Sequence, residues 1–243
     1  MTNPESETWH GEVIPASSET TVTSLRDTGI LSSFYLAGGT GLALQFGHRL
    51  SRDLDFFSEG HFDEEIFLQR VQSAREFSLV AKAPYTLHAT IGETKVSFLG
   101  SQYPLLFPLR SFLGIAVADV RDIACMKISA IASRGTKRDF VDLHLCVRKF
   151  GLAELLALFE RKYAQVHYSK THILKSLVFF ADAEKDPMPL MLQPLEWEEV
   201  TQYFLREVPR ILAPVAAHSG FAEYSSSVTC CSQTTSVPCS SAS

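Results

Sequence analysis

The chain has 243 residues, 46% of them hydrophobic, which is enough apolar material for one mixed domain or a core with a helical appendage. Its net charge of −5 excludes a global basic field of the kind that draws nucleic acid, although Arg134, Lys137, Arg138, Arg148, Lys149, Arg161 and Lys162 leave room for a local basic patch. No apolar run is long enough to span a bilayer, the N-terminus lacks a basic-then-apolar leader, and the five cysteines show neither a zinc spacing nor a disulfide framework, so a cytoplasmic protein without membrane or DNA partners is expected.

Residues 1–20 are polar and read as a flexible N-terminus. A short helix over 21–30 leads to a strand at 34–37. The stretch 40–50 carries Leu42, Ala43, Leu44 and Phe46, as expected of a helix packed beneath a sheet, and 52–57 reads as the second strand. Helical spacing returns over 62–76. Short alternating runs follow at 77–82, 86–91 and 95–99, the last two split by Gly92-Glu93, a hairpin signal. Residues 103–108 form a proline-bounded connection.

From Asp119 the texture becomes helical. Asp119 and Asp122 stand at N-cap and N3 spacing before a helix over 123–133. Gly135 reads as a stop, and Thr136-x-x-Asp139 as the capping box of a helix over Lys137–Phe150. Further helices are expected over 151–163, 172–180 and 197–212. The tail from 213 to 243 is rich in Ser and Thr, has no Lys or Arg, and is predicted to be disordered. The organisation is therefore a flexible 1–20, a core over 21–118, a helical region over 119–212 that completes the site, and the tail. The fold class is α+β, a small mixed sheet with flanking helices and a helical C-terminal half.

Two features carry the chemistry. The first apolar run ends in Gly38-Gly39-Thr40, a strand-to-helix junction where the backbone can approach a ligand closely and helix-start amides attract anions. The second is Asp53-Leu54-Asp55. On a strand these acids share a face, roughly 6.5–7 Å apart, while Leu54 and Phe56 point to a core. Two carboxylates on one face repel unless a cation sits between them. A phosphate cradle followed after residues 41–52 by a two-carboxylate clamp is what an NTP–Mg²⁺ site requires, with Mn²⁺ as a substitute ion. The competing reading of this segment is a plain turn, a helix cap at Thr40 and an acidic strand end.

A second group lies downstream. Lys127 is the only charge in the apolar stretch 123–132, where an ammonium needs a partner or an anion unless it snorkels to an edge. Asp139 is explained equally by a capping box or by chemistry. Asp142 lies one turn on and is placed to orient Lys127 or Arg138 or to act as an acceptor-side base. Arg134 and Arg138 straddle the break at Gly135, so a shared face is not assigned.

The run Gly38-Gly39-Thr40 … Gly47-His48-Arg49 … Ser51-x-Asp53-x-Asp55-Phe56-Phe57 resembles the first motif of the AbiEii/AbiGii-type nucleotidyltransferases, within the polymerase-β-like superfamily. Lys127-x-x-Ala130-x-x-x-Arg134-x-x-x-Arg138-Asp139-x-x-Asp142-Leu143 resembles that family's later motifs, and the similarity spans roughly residues 30–190. The resemblance implies a nucleotidyltransferase core. It implies catalytic roles for Asp53, Asp55, Lys127 and Asp139, with Asp53 and Asp55 as metal ligands. Nucleotide contacts fall to Gly38, Gly39, Thr40, Arg49, Ser51 and Lys127, supported by Arg134, Arg138 and Asp142. It also implies a toxin of a toxin–antitoxin or abortive-infection system, with a tRNA or other RNA, or a protein, as acceptor and a cognate antitoxin as partner. The superfamily commonly carries a third carboxylate on a later strand; here the matching position is Ser97. That departure keeps open a nucleotide- or partner-binding relative with weakened catalysis, and a metal-dependent phosphodiesterase using the same carboxylates is a further alternative.

Overall fold

The computed structural model describes residues 8–74 and 76–217. A 3-10 turn at Gly11–Val13 precedes α1 (Ala16–Asp27), a second such turn (Ile30–Ser33), β1 (Phe34–Leu36), α2 (Gly38–Phe46), β2 (Leu54–Glu59) and α3 (Glu64–Val71). Three longer strands follow, β3 (Phe77–Ala83), β4 (Thr86–Ile91) and β5 (Thr94–Ser101), then the short pair β6 (Arg110–Phe112) and β7 (Ile115–Val117). The rest is helical: α4 (Val120–Ser133), α5 (Lys137–Phe150), α6 (Leu152–Lys162), α7 (Lys170–Ser176) and α8 (Trp197–Ala217).

The strands form one seven-stranded mixed sheet in the order β3-β4-β5-β2-β1-β7-β6. β1 pairs antiparallel with β2 and parallel with β7, and β2 runs parallel to β5. Alternation sorts the two faces. Leu54, Phe56, Val96, Phe98, Leu87 and Ala89 point to a core shared with α1 and α3, built on Val22, Leu25, Phe67 and Val71. The other face carries Asp55 and Phe57 of β2, Ser97 of β5 and His88 of β4, all less buried. A second core, from Leu42 and Ile123 through Phe140 to Phe204, binds the helical half to that side.

Several expectations are corrected here. Residues 8–20 are not a flexible arm: Val13 and Ile14 are core residues and α1 begins at Ala16. The Ser/Thr-rich start of α1 is nonetheless helical, and Thr20, Thr21 and Thr23 turn their hydroxyls back onto the carbonyls of Ala16, Ser17 and Glu19. The second helix starts at Gly38 rather than Thr40 and ends at Gly47, which takes a left-handed cap with φ 65°. Strands β6 and β7 were not foreseen. Asp119 caps Arg121 as expected, but Asp122 is buried and accepts from the amides of Leu106 and Phe107 and from Lys162, pinning the 103–108 connection. The expected capping box of α5 is not made, because the Thr136 hydroxyl donates to the Asp139 carboxylate at 2.6 Å. The helix expected over 172–180 is Lys170–Ser176, and the last helix runs on to Ala217. The expectations for 1–7 and for the tail from 218 onward, with Cys230, Cys231 and Cys239, fall outside the described residues.

Candidate functional site

The junction between β1 and α2 meets the start of β2. The amide of Ala37 donates to the Asp55 carbonyl at 3.0 Å, which ties the two segments. Gly38 has φ 61°, and a Cβ there would lie 2.8 Å from Asp55 Oδ2. A Cβ on Gly39 would lie 2.3 Å from Arg49 Nη2. Both glycines thus make room for the site's own side chains as well as for a ligand. Thr40 differs from expectation. Its hydroxyl donates to the carbonyl of Asp53 and lies 2.7 Å from Ser51 Oγ, so both hydroxyls brace the loop rather than stand free for phosphate.

Asp53 sits one residue before β2 and is about half exposed, facing Arg138 at 3.9 Å; Asp55 is in the strand. Both line one cavity of about 170 Å³, together with Gly39, Thr40, Arg49, Ser51, Lys127, Arg134, Thr136, Arg138 and Asp139. The two motif segments, far apart in the chain, therefore converge on one space.

Behind it lies a buried ionic network. Asp142, with no exposed surface, accepts from His48 Nε2 (2.9 Å), from Arg49 through Nε (2.7 Å) and Nη2 (2.9 Å), and from Lys127 at 2.7 Å. Asp139 accepts from Lys127 (2.9 Å), Arg134 (3.0 Å) and Thr136 (2.6 Å). Burial alone would push both acids up. For Asp139 the Lys127 and Arg134 charges and the Thr136 hydroxyl reverse this, and for Asp142 Lys127, Arg49 and His48 hold it well below the carboxylate range. Burial likewise opposes the charge on Lys127, and the two acids restore and raise its pKa. An ammonium has three donors, and two are engaged here, which leaves one for a ligand in the cavity.

Asp139, expected to be catalytic, takes Lys127 and Arg134 as its charged partners, and Asp142 takes Lys127, Arg49 and His48 rather than Arg138. Arg49 is buried and forked onto Asp142, so it reaches the cavity only with its remaining N–H groups.

Asp55 stands apart from this pattern. Burial pushes its carboxyl up and the Asp53 charge adds to that, which outweighs the opposing pull of the neighbouring Ser97 hydroxyl and of the Lys127 and Arg134 charges. A buried, under-compensated carboxylate beside a second one fits a cation. Among the described residues no cluster of three or more His, Cys, Asp or Glu forms a cage. Two carboxylates facing a phosphate-sized cavity suit magnesium, which characteristically takes one or two carboxylates plus substrate phosphates. Ser97 stands directly opposite Asp55 in the β2–β5 register, so that place carries a hydroxyl and no acid. Sequence reading passed over His88, whose Nδ1 lies 3.0 Å from Ser97 Oγ. The signal was there: a turn at Gly92-Glu93 pairs Ile91 with Thr94 and so His88 with Ser97.

Comparison with known proteins gives the following. Residues 24–107 and 101–224 match the profile of the family described as "Nucleotidyl transferase AbiEii toxin, Type IV TA system". The uncharacterized protein aq_aa25 of Aquifex aeolicus (strain VF5) is 40% identical over 192 residues, covering 76% of this chain and 90% of its own. Among solved structures, a nucleotidyltransferase described as putative from H. pylori is 19% identical, with a TM-score of 0.48 over 87% of this chain and 96% of its own. MenT4, a nucleotidyltransferase toxin from Mycobacterium tuberculosis H37Rv, is 14% identical with a TM-score of 0.38, over 79% and 84% of the two chains.

Proposed function

This chain belongs to the AbiEii nucleotidyltransferase toxin family, and from that premise we propose that it moves a nucleoside monophosphate from an NTP to an acceptor hydroxyl with Mg²⁺ held by Asp53 and Asp55. The observation that carries the reading is the convergence of those two acids with Gly39, Lys127, Arg134 and Arg138 on one small cavity. Its volume of about 170 Å³ is below the usual ~300–1,000 Å³ of whole-ligand pockets, so it suits the polyphosphate end of a nucleotide.

The magnesium ion would neutralise triphosphate charge and orient the α-phosphoryl group. The rest falls to the chain. The free proton of Lys127 and the outer N–H groups of Arg134 and Arg138 meet phosphate oxygens. Asp139 and Asp142 hold Lys127 charged and immobile, so no reorganisation is required as charge moves onto pyrophosphate. The acceptor is an RNA such as tRNA, or a protein, and a cognate antitoxin is the expected partner. No helix among the described residues is long and apolar enough to cross a membrane, and a cytoplasmic setting is part of the proposal.

The test is incubation with each α-³²P-labelled NTP, Mg²⁺ and total cellular RNA or protein. Label transfer with pyrophosphate release is expected, lost in the Asp53→Ala/Asp55→Ala variant. Release of nucleoside monophosphate instead would assign phosphodiesterase chemistry. Tight Mg·NTP binding without turnover would leave a binding protein.

A further inference from the structure

A cavity of about 170 Å³ takes the polyphosphate but not a whole nucleotide, so on the transferase reading the nucleoside lies in a space beside it. Two further cavities share Arg134 with it, and that guanidinium is forked onto Asp139 at 3.0 and 3.3 Å. One, of about 320 Å³, lies between the end of α4 and α7, with His172, Lys175, Phe179 and Asp182 in its walls. Among the described residues, none of the sheet lines it. The other, of about 330 Å³, lies between the sheet and helices α4 and α6.

The cavity against the sheet has three properties that fit a nucleoside. It is continuous with the metal strand: Phe57, in its wall, follows Asp55 by two residues on the same face of β2, roughly 6.5–7 Å along. A nucleoside bonded to an α-phosphoryl group at Asp55 enters it by running along that strand. Its walls also carry planar rings. Phe57 stacks with Tyr35 at 6.0 Å between centroids, and Tyr103, more than a third exposed, meets Tyr163 edge-on at 4.5 Å. Such rings hold nucleobases by stacking.

The third property is a buried donor. Lys162 is 3% exposed and lines the cavity, and its ammonium donates to the Pro104 carbonyl and to Asp122, each at 2.7 Å. Two of its three protons are thereby engaged, which leaves one for an occupant. Asp122 balances the charge, so the site offers a hydrogen bond without a net positive charge. That suits a neutral base with a carbonyl oxygen or ring nitrogen, not a further phosphate.

We infer that this cavity is the nucleoside subsite of the NTP. The base lies against Phe57 and Tyr103 and accepts from Lys162 Nζ. Arg134, at the boundary of the two spaces, meets the phosphate nearest the ribose. The inference rests on the transferase reading and adds to it the place where the donor nucleotide is recognised.

The experiment is calorimetry with each Mg·NTP and with Mg·tripolyphosphate, a probe that has the phosphates and no nucleoside. Wild type is compared with Tyr103→Ala, with Ser129→Phe, which fills this cavity from α4, and with Phe179→Ala in the other one. Tyr103→Ala and Ser129→Phe are each expected to weaken the tightest-binding NTP about tenfold or more, the order of a lost base–aromatic contact. Tripolyphosphate affinity is expected to stay at the wild-type value, which also shows that the variants are folded. Phe179→Ala is expected to change neither. NTP affinity kept in Tyr103→Ala and Ser129→Phe, a parallel loss of tripolyphosphate in Tyr103→Ala, or a loss of NTP alone in Phe179→Ala overturns the assignment and leaves the transferase reading standing. A wild-type chain that binds neither NTP nor tripolyphosphate overturns both.

Discussion

Asp55 and Asp142 show how one residue type does opposite work within one site. Burial raises Asp55 above the ordinary 3.8, whereas Lys127 and Arg49 outweigh the burial of Asp142 and depress it far below. The signs of their contributions to stability follow. Native Asp55 keeps its proton to higher pH than the unfolded chain, so metal-free stability should fall as pH rises above 3.8 through the native titration, and the full cost remains above it. Asp55→Asn should remove that slope in urea midpoints measured against pH, and Mg²⁺ should stabilise the wild type but not the variant. Asp142 contributes fully above 3.8, and its contribution is lost as pH drops toward its lowered native value. Asp142→Asn leaves the buried Arg49 without a carboxylate and Lys127 with Asp139 alone, and should cost roughly 3–5 kcal/mol in the same measurement. Spacing paired Asp53 with Asp55, and the resemblance to the family added Lys127 and the later acids. Neither told which partner each would take. Thr40 looked like a phosphate hydroxyl because sequence does not reveal that the Asp53 carbonyl lies within its reach.

At the scale of elements, the site depends on a strand end, a helix start and a second strand meeting without side chains in the way. Gly38 and Gly39 are the contact points. Alanine at 38 must adopt φ 61° and meet Asp55 Oδ2 at 2.8 Å. A loss of about 1–2 kcal/mol from the left-handed backbone, with a drop in transfer from the displaced carboxylate, is expected by denaturation and labelled-NTP assay. Alanine at 39 meets a guanidinium held at both ends by Asp142, so the pair must break, and the expected cost is larger, about 3 kcal/mol. The long elements were legible from periodicity, above all β4, β5 and α5. Strands β6 and β7 were not, because three residues are too few for alternation to register and their place comes from pairing with β1 and with each other. The start of α1 was hidden by a Ser/Thr run whose hydroxyls satisfy the helix itself rather than a loop.

On the scale of the whole molecule, a chain of net charge −5 presents its exposed Arg134 and Arg138 at the cavity mouth. An anionic nucleotide is drawn by that local field against the global one, and such attraction is screened within a Debye length of about 8–10 Å near physiological salt. The KM for NTP should therefore rise with ionic strength. Arg134→Ala/Arg138→Ala should raise KM about tenfold at low salt and flatten the salt dependence. The sheet supplies one wall of the site and α4 and α5 the other, so neither half of the chain holds the complete set of residues. The most direct test is anomalous scattering from crystals grown with Mn²⁺ and a non-hydrolysable NTP. The expected result is a manganese peak within coordination distance of both Asp53 and Asp55, with the triphosphate running from it toward Lys127. A triphosphate seated elsewhere, or manganese away from Asp55, would contradict it.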